Sequence, residues 1–431
     1  MYRRASIPVR AVRLAVAAGV AAALIGGCTS TTASQGPSPD GPTPSASPTS
    51  AIRPTDPAPT TEPGHVVTSV LFNNPWSALR SQQFRLQDRE VRAINGAPAG
   101  SSISIATYSL SSGEVGDALV AAYHRGVRVR LNIDPHANFI QTRRLVRLLG
   151  TDQARKSYVV RCHLACATDV TYPRRDGAGL IKPYQHAKFL AFSRTGSERN
   201  LVMFPSENLS PSAIEQSNDM IVLSGSRAVY DFVVERFAIM SKDAGSAEGE
   251  VTSGSATVTM YPVKLGAGAE PSPDLDPYWA LFKNITCRVG GKSTVIRVAM
   301  SMWSLPRLYL AERVAELSRQ GCRFLVIGQP EIALGGWDPE IKAALLVRGS
   351  TVRLRQTTGG KWVHSKIVTI DGWDAGGARL VMAWTNSANF LLQGLYYNDE
   401  IGILTTDPAA IRTYNRHIEG ALFTHSRPVA R

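Results

Sequence analysis

The chain has 431 residues and a formal net charge of +13, from 47 Lys and Arg against 34 Asp and Glu. Such a basic balance favours anionic partners such as lipid headgroups, wall polymers or nucleic acid, and does not choose among them. Beyond Cys28 the cysteines form an even set, Cys162, Cys166, Cys287 and Cys322, which in an exported chain points to disulfides; Cys162-His163 with Cys166 lacks the fourth ligand of a zinc site.

The N-terminus reads as an export signal. Arg3, Arg4, Arg10 and Arg13 precede an apolar run of 12 residues from Leu14 to Ile25. That run is too short to span a bilayer and suits a signal-peptide core. Leu24-Ile25-Gly26-Gly27-Cys28 resembles a bacterial lipobox, which implies a signal peptide over 1–27 and lipidation of Cys28. Residues 28–64 are mostly Ser, Thr, Pro, Gly and Ala, with little to bury, so they read as an extended tether. Leader and tether together imply a globular protein on the outer face of a bacterial cell membrane, held by acyl chains, or else secreted. The four leader arginines face no acid, which leaves +9 for the mature chain; setting aside Arg53 with Asp40, Asp56 and Glu62 leaves +11 for the folded part.

The folded part repeats itself. Ser104 to Leu110 reads as a strand, Val115, Leu119, Val120 and Tyr123 as a helix face, Gly126 as its stop and Val127 to Asn132 as the next strand. The same order returns with Val295 to Ser301, Leu308 to Leu317, Gly321 and Arg323 to Ile327. Strands alternating with helices of this length predict βαβ units and a largely parallel sheet. Later strands near Asn200 to Phe204 and Arg379 to Trp384 lead to closing helices, Val229 to Ser241 and Ala409 to Leu422. Irregular segments, Thr168 to Pro183 and Gln356 to Lys361, precede two matching motifs. The expected domains are therefore 65–243 and 257–428, joined by the Gly-, Ser- and Ala-rich stretch Ala244 to Ala256. Local cysteine pairings, Cys162–Cys166 and Cys287–Cys322, keep each bridge inside one half.

The motifs are Tyr184-Gln185-His186-Ala187-Lys188 and Trp362-Val363-His364-Ser365-Lys366. In a strand, His and Lys two apart share a face. Each motif leads to a polar turn, Ser206-Glu207-Asn208 or Asn386-Ser387-Ala388-Asn389. Eleven residues past each Asn stands a carboxylate, Asp219 and Glu400. A duplicated His, Lys, Asn and acid set describes one active site built from two half-sites.

At these residues the chain resembles the phospholipase D superfamily, whose signature is His-x-Lys-x4-Asp followed by a Gly/Ser-x-Asn turn, usually twice. The second copy matches in full, through His364, Lys366, Asp371, Ser387 and Asn389. The first has Ser193 in place of the Asp. By parity Asp371 faces away from His364 or lies past the strand end, which suggests a structural role. The resemblance covers about residues 66 to 428. It implies two similar α/β domains about a pseudo-two-fold axis, each a mainly parallel mixed sheet flanked by helices, with the site between them.

A phosphodiester's negative charge repels nucleophiles, so catalysis needs cations and donors around the phosphate. Lys188 and Lys366 supply charge; Asn208 and Asn389 supply neutral donors; the cage needs neither metal nor cofactor. One imidazole attacks phosphorus while the other protonates the leaving oxygen, then activates water. Asp219 and Glu400 are expected to orient the two imidazoles. Family resemblance implies a covalent phosphohistidine, with His186 as nucleophile and His364 as general acid. Ser206 and Ser387 are expected to bond locally, and Tyr184 and Trp362 to wall the cleft. Asp134-Pro135-His136 and Gln329-Pro330-Glu331 follow equivalent strands, where specificity loops often lie.

The leading reading is an exported phospholipase D-like enzyme cleaving phospholipid headgroups, a monomer with an internal pseudo-dimer. A nuclease using the same site is the second reading, although nothing resembles a nucleic-acid-binding module. An inactive protein holding anionic lipid or wall polymer is the third, and Ser193 alone supports it.

Overall fold

The computed structural model describes residues 66–167, 172–173, 180–262, 272–329 and 336–430. The leader, Cys28, the tether, most of the stretch 168–183 and Pro330-Glu331 lie outside the described residues. Everything described belongs to one compact unit, 60–431.

The first half forms a seven-stranded sheet from β1 (Val67–Phe72), β2 (Ser102–Thr107), β3 (Arg128–Ile133), β4 (Tyr158–Arg161), β5 (Phe189–Thr195), β6 (Glu198–Pro205) and β7 (Asp219–Leu223). Their order is β1-β7-β6-β5-β2-β3-β4. Its helices are α1 (Arg85–Gly96), α2 (Gly113–His124), α3 (Ile140–Leu149) and α4 (Arg227–Ser241). Helix α2 starts where the Ser112 side chain accepts the Val115 N–H, and stops before Gly126, whose φ of 87° is left-handed.

The second half contributes β8 (Gly249–Ser253), β9 (Ala256–Tyr261), β10 (Val295–Met300), β11 (Arg323–Gly328), β12 (Arg353–Thr357), β13 (Lys366–Asp374), β14 (Arg379–Asn386), β15 (Glu400–Thr405) and β16 (Ser426–Pro428). These run β8-β9-β15-β14-β13-β10-β11-β12-β16, with Ile285–Thr286 also pairing to β13. The helices are α5 (Pro277–Lys283), α6 (Leu308–Arg319), α7 (Pro339–Leu345) and α8 (Pro408–His417). The stretch β15-β14-β13-β10-β11-β12 repeats β7-β6-β5-β2-β3-β4 position for position. The two halves are one topology used twice.

Both sheets are mixed, and parallel pairing is narrower than the βαβ reading implied. Within these two sheets, among the described residues, only β2-β3-β4 and β10-β11-β12 pair in parallel. The other neighbours are antiparallel, because β5-β6 and β13-β14 are hairpins and β7 and β15 return beside them. The supposed join at 244–256 also holds structure. Its β8 pairs antiparallel with β9, and alternation in β9 buries Ala256, Val258 and Met260.

Where the halves meet, they share a core. Phe189, Phe204 and Ile221 of the first sheet cluster with Val258, Met260, Ile401 and Ile403 of the second. On the other flank, Val70, Phe72 and Trp76 pack against Ile367, Ile411 and Tyr414. Each fully buried side chain of this size contributes roughly 1.5–3 kcal/mol. The halves are thus held as one body. The cysteines form Cys162–Cys166 and Cys287–Cys322, each within its own half as expected.

Candidate active site

The motif segments enter strands β5 and β13 from the seam between the halves. His186 lies three residues before β5, and its backbone pairs across the seam rather than within the first sheet. His186 N–H donates to the Asp399 carbonyl at 3.0 Å, and Asp399 N–H to the Tyr184 carbonyl at 3.0 Å. In the second motif, Trp362–Val363 pairs in parallel with Gln216–Ser217, and His364 N–H donates to the Ser217 carbonyl at 2.9 Å. Each motif is anchored to the opposite half.

The two imidazoles open into one cavity of about 420 Å³, lined also by Asn208, Asn389, Tyr108, Tyr184, Trp362 and Gln329. Tyr184 and Trp362 thus stand on its wall, where parity placed them. Tyr108, which the sequence did not single out, meets the His186 ring edge-on with centroids 5.5 Å apart. The Asp134 loop acts from behind: its carboxylate accepts the Gln185 N–H at 2.9 Å and bonds His136 Nδ1 at 2.8 Å.

The orienting groups cross the seam. His186 Nδ1 lies 2.9 Å from the Glu400 carboxylate, which also accepts from the Ser387 hydroxyl and from Asn398 Nδ2 at 3.1 Å. His364 Nδ1 instead meets Asn218 Oδ1, at 2.8 Å. Asn218 Nδ2 donates to the Gln216 carbonyl at 3.2 Å, which turns the amide oxygen toward the imidazole. Both Nδ1 atoms therefore hold the proton, leaving each Nε2 as the free ring nitrogen.

The expectation that Asp219 orients one of the two imidazoles is corrected by this geometry. Asp219 is fully buried and accepts from Thr385 Oγ1 at 2.6 Å and Tyr414 OH at 3.3 Å. Its charge acts on Lys366 instead. The offset arises in the connection after each turn. The first path contains the 3₁₀ turn Pro211–Ile214, the second the α-helical turn Leu392–Tyr396, and the tighter turn uses one residue fewer. Counting eleven from Asn208 thus overshoots the equivalent position by one.

Lys188 and Lys366 sit beneath the imidazoles, 1% and 0% exposed. Each ammonium donates to the carbonyl of its own motif His, at 2.7 and 2.6 Å. Burial lowers the Lys366 ammonium to about 8, opposed by the Glu400 and Asp219 charges. Burial also takes Lys188 well below its ordinary value, again opposed by Glu400. His186 falls to about 4 through burial, with Glu400 pulling upward and both lysines downward. His364 falls well below the usual imidazole range, through burial and then through Lys366, Lys188 and His186, opposed by a backbone hydrogen bond at Ser206. Burial works to raise Glu400, but His186 and Lys188 outweigh it and hold its carboxyl below the usual range.

The remaining motif residues are supports. Ser206 Oγ accepts the Asp219 N–H at 2.9 Å and donates to Asn218 Oδ1 at 3.3 Å; Ser387 Oγ accepts the Ile401 N–H at 2.8 Å. Ser193 Oγ accepts the Ser102 N–H at 2.9 Å, and Asp371 pairs with Arg379 at 2.6 Å, away from the cavity. Arg307, which the sequence did not flag, is buried in a two-pronged pair with Asp276 at 2.8 and 2.9 Å. It donates to the Asn389 carbonyl at 3.2 Å and so holds the second turn.

The fold is similar to that of phosphatidylserine synthase from Haemophilus influenzae Rd KW20, with 12% identity, 85% of this chain and 89% of that one covered, and a TM-score of 0.54. It is also similar to polyphosphate kinase from Porphyromonas gingivalis, with 16% identity, 82% of this chain covered and a TM-score of 0.51; the chain spans 50% of that kinase. At such identities the likeness is one of fold. No curated protein matches the chain. Residues 91–240 and 292–422, well over half of the chain, match the family described as cardiolipin synthase, PLD-like domain, and the protein belongs to that family of the phospholipase D superfamily.

Proposed function

We propose that the protein is an exported phosphodiesterase of phospholipase D type, anchored through Cys28 outside the cell membrane, that cleaves phospholipid headgroups through a phosphohistidine. One observation carries the reading: two imidazoles with engaged Nδ1 atoms face one cavity beside two Asn side chains, above two buried ammonium groups. That arrangement surrounds a phosphate with cations and donors and offers a nucleophile on one side and a proton donor on the other.

The asymmetry of the orienting groups distributes the roles. A nucleophilic imidazole becomes cationic when it bonds to phosphorus, and a carboxylate on Nδ1 stabilises that cation. Glu400 gives His186 this support, so His186 Nε2 attacks. The phosphorus–nitrogen bond forms as the bond to the leaving oxygen breaks, and His364 Nε2 donates the proton that oxygen needs. Asn218 stabilises an imidazolium less than a carboxylate does, so protonated His364 is a willing acid. The bound phosphate's negative charge offsets the two lysines and lets His364 take up that proton. In the second step neutral His364 accepts a proton from water, whose oxygen displaces His186 from phosphorus.

Release of choline, ethanolamine or glycerol from mixed phospholipid vesicles tests the reading. Release by wild type that disappears in His186→Ala and His364→Ala is the expected result. No release from any lipid, with cleavage of single- or double-stranded DNA by the same protein, would move the activity to nucleic acid.

A further inference from the structure

The backbone of His186 is held by a residue that takes no part in the chemistry. Gln185 pairs in parallel with Asp399 as an isolated bridge, so Asp399 engages the first motif through both its N–H and its carbonyl. The next residue is Glu400, whose carboxylate meets His186 Nδ1. Successive side chains of an extended chain point to opposite sides. Glu400 accordingly faces the imidazole, and Asp399 faces away from it.

Facing away brings the Asp399 side chain, 0% exposed, to the segment that follows β4. Its Oδ2 accepts the Cys166 N–H at 2.6 Å and the Ala167 N–H at 3.1 Å, and its Oδ1 lies 3.2 Å from the Ala167 nitrogen. These donors sit at the end of the loop closed by the Cys162–Cys166 bridge, whose cysteines are four residues apart and buried. The start of that loop is fixed in the first half. Cys162 N–H donates to the Ile133 carbonyl at 3.0 Å, and Asp243, just past α4, accepts the His163 N–H at 2.9 Å. Burial pushes the Asp399 carboxyl up to about 8, against the pull of the Ala167 and Cys166 N–H groups. A buried carboxyl without donors is costly, so Asp399 keeps its place because the loop presents those two groups. A disulfide of the first half is thereby linked to the carboxylate of the second half that orients His186.

We propose that Asp399 is a positioning residue for His186 and that the Cys162–Cys166 loop is its anchor. Together they fix the peptide that holds the His186 backbone and sets Glu400 against Nδ1. This role rests on the reading of His186 as nucleophile, whereas the Nδ1 contact itself is measured without turnover.

Proton NMR of the full-length protein reads that contact. Wild type should show a downfield ring-proton resonance, from Nδ1–H on Glu400, that His186→Ala lacks. Asp399→Ala should lose or broaden it, and kcat for headgroup release should fall about 10²-fold with little change in KM. Asp399→Asn keeps an oxygen for both N–H groups and should recover most of that loss. In the Asp399→Ala background, Glu400→Gln should cost less than about tenfold, since both changes act through one contact. Cys162→Ala with Cys166→Ala should lower kcat as Asp399→Ala does, and keeps the test open if Asp399→Ala does not fold. Cys287→Ser with Cys322→Ser removes the other bridge and should leave kcat unchanged at temperatures where the variant is folded. Folded Asp399→Ala with the resonance and kcat of wild type would overturn the proposal, and so would equal kcat losses on removing either bridge. If the resonance responds as expected in a protein that cleaves neither lipid nor DNA, the positioning of His186 stands and the catalytic reading falls.

Discussion

Replacing Arg307 with Ala removes the cation from a carboxylate that is fully buried, since Arg307 is 1% and Asp276 0% exposed. The guanidinium holds Asp276 by two bonds, at 2.8 and 2.9 Å, and Tyr309 OH adds a third at 2.6 Å. It also lies over the Phe390 ring at 4.9 Å and donates to the Asn389 carbonyl. Breaking a buried pair from one side costs about 3–5 kcal/mol, and the lost carbonyl bond adds about 1 kcal/mol. The sum is a large share of the stability of an ordinary domain. Urea unfolding followed by fluorescence should show a much lower midpoint for Arg307→Ala. The double variant Arg307→Met with Asp276→Asn removes both charges and should recover most of the loss. A cost below about 1 kcal/mol for Arg307→Ala alone would refute the claim that this pair holds the second turn.

Three further outcomes follow from the geometry. Glu400→Gln keeps the contact to His186 Nδ1 but removes its charge, and should lower kcat about 10²–10⁴-fold with little change in KM. Lys366 is cationic below about 8 and neutral above it, so kcat/KM should fall as pH rises through that value; a flat profile to pH 10 would remove Lys366 from the phosphate cage. Cys287 and Cys322 are 35 residues apart, and replacing both with Ser should cost about 4 kcal/mol in thermal or urea unfolding.

Much of this architecture was legible because it is periodic and local. The βαβ units around Ser104 and Val295 show alternating buried strands, amphipathic helices and glycine stops, and the structure has them within a few residues. Duplication exposed the His, Lys and Asn set, since a spacing that occurs twice stands out where a single copy would not. Other features are long-range and have no periodic signature. Which half supplies each orienting group depends on the seam, so Asn218 could not be chosen over its neighbour Asp219 by counting. The difference between a 3₁₀ and an α turn settled it. Arg307 and Asp276, 31 residues apart, carry no sequence pattern that marks them as a buried pair. Tertiary packing alone puts them inside. The hairpins β5-β6 and β13-β14 likewise make the expected mixed sheets less parallel than their βαβ units suggested.

Mass spectrometry of the trapped intermediate tests the central claim, that His186 is the nucleophile and His364 its proton donor. Wild type and His364→Ala would each be mixed with phospholipid substrate, quenched in alkali, where a phosphoryl–nitrogen bond survives, and digested. The account predicts a phosphatidyl adduct on the peptide containing His186 in wild type, and much less of it in His364→Ala, which lacks the proton donor of the step that forms it. An adduct on the peptide containing His364, or steady turnover by His186→Ala, would contradict it.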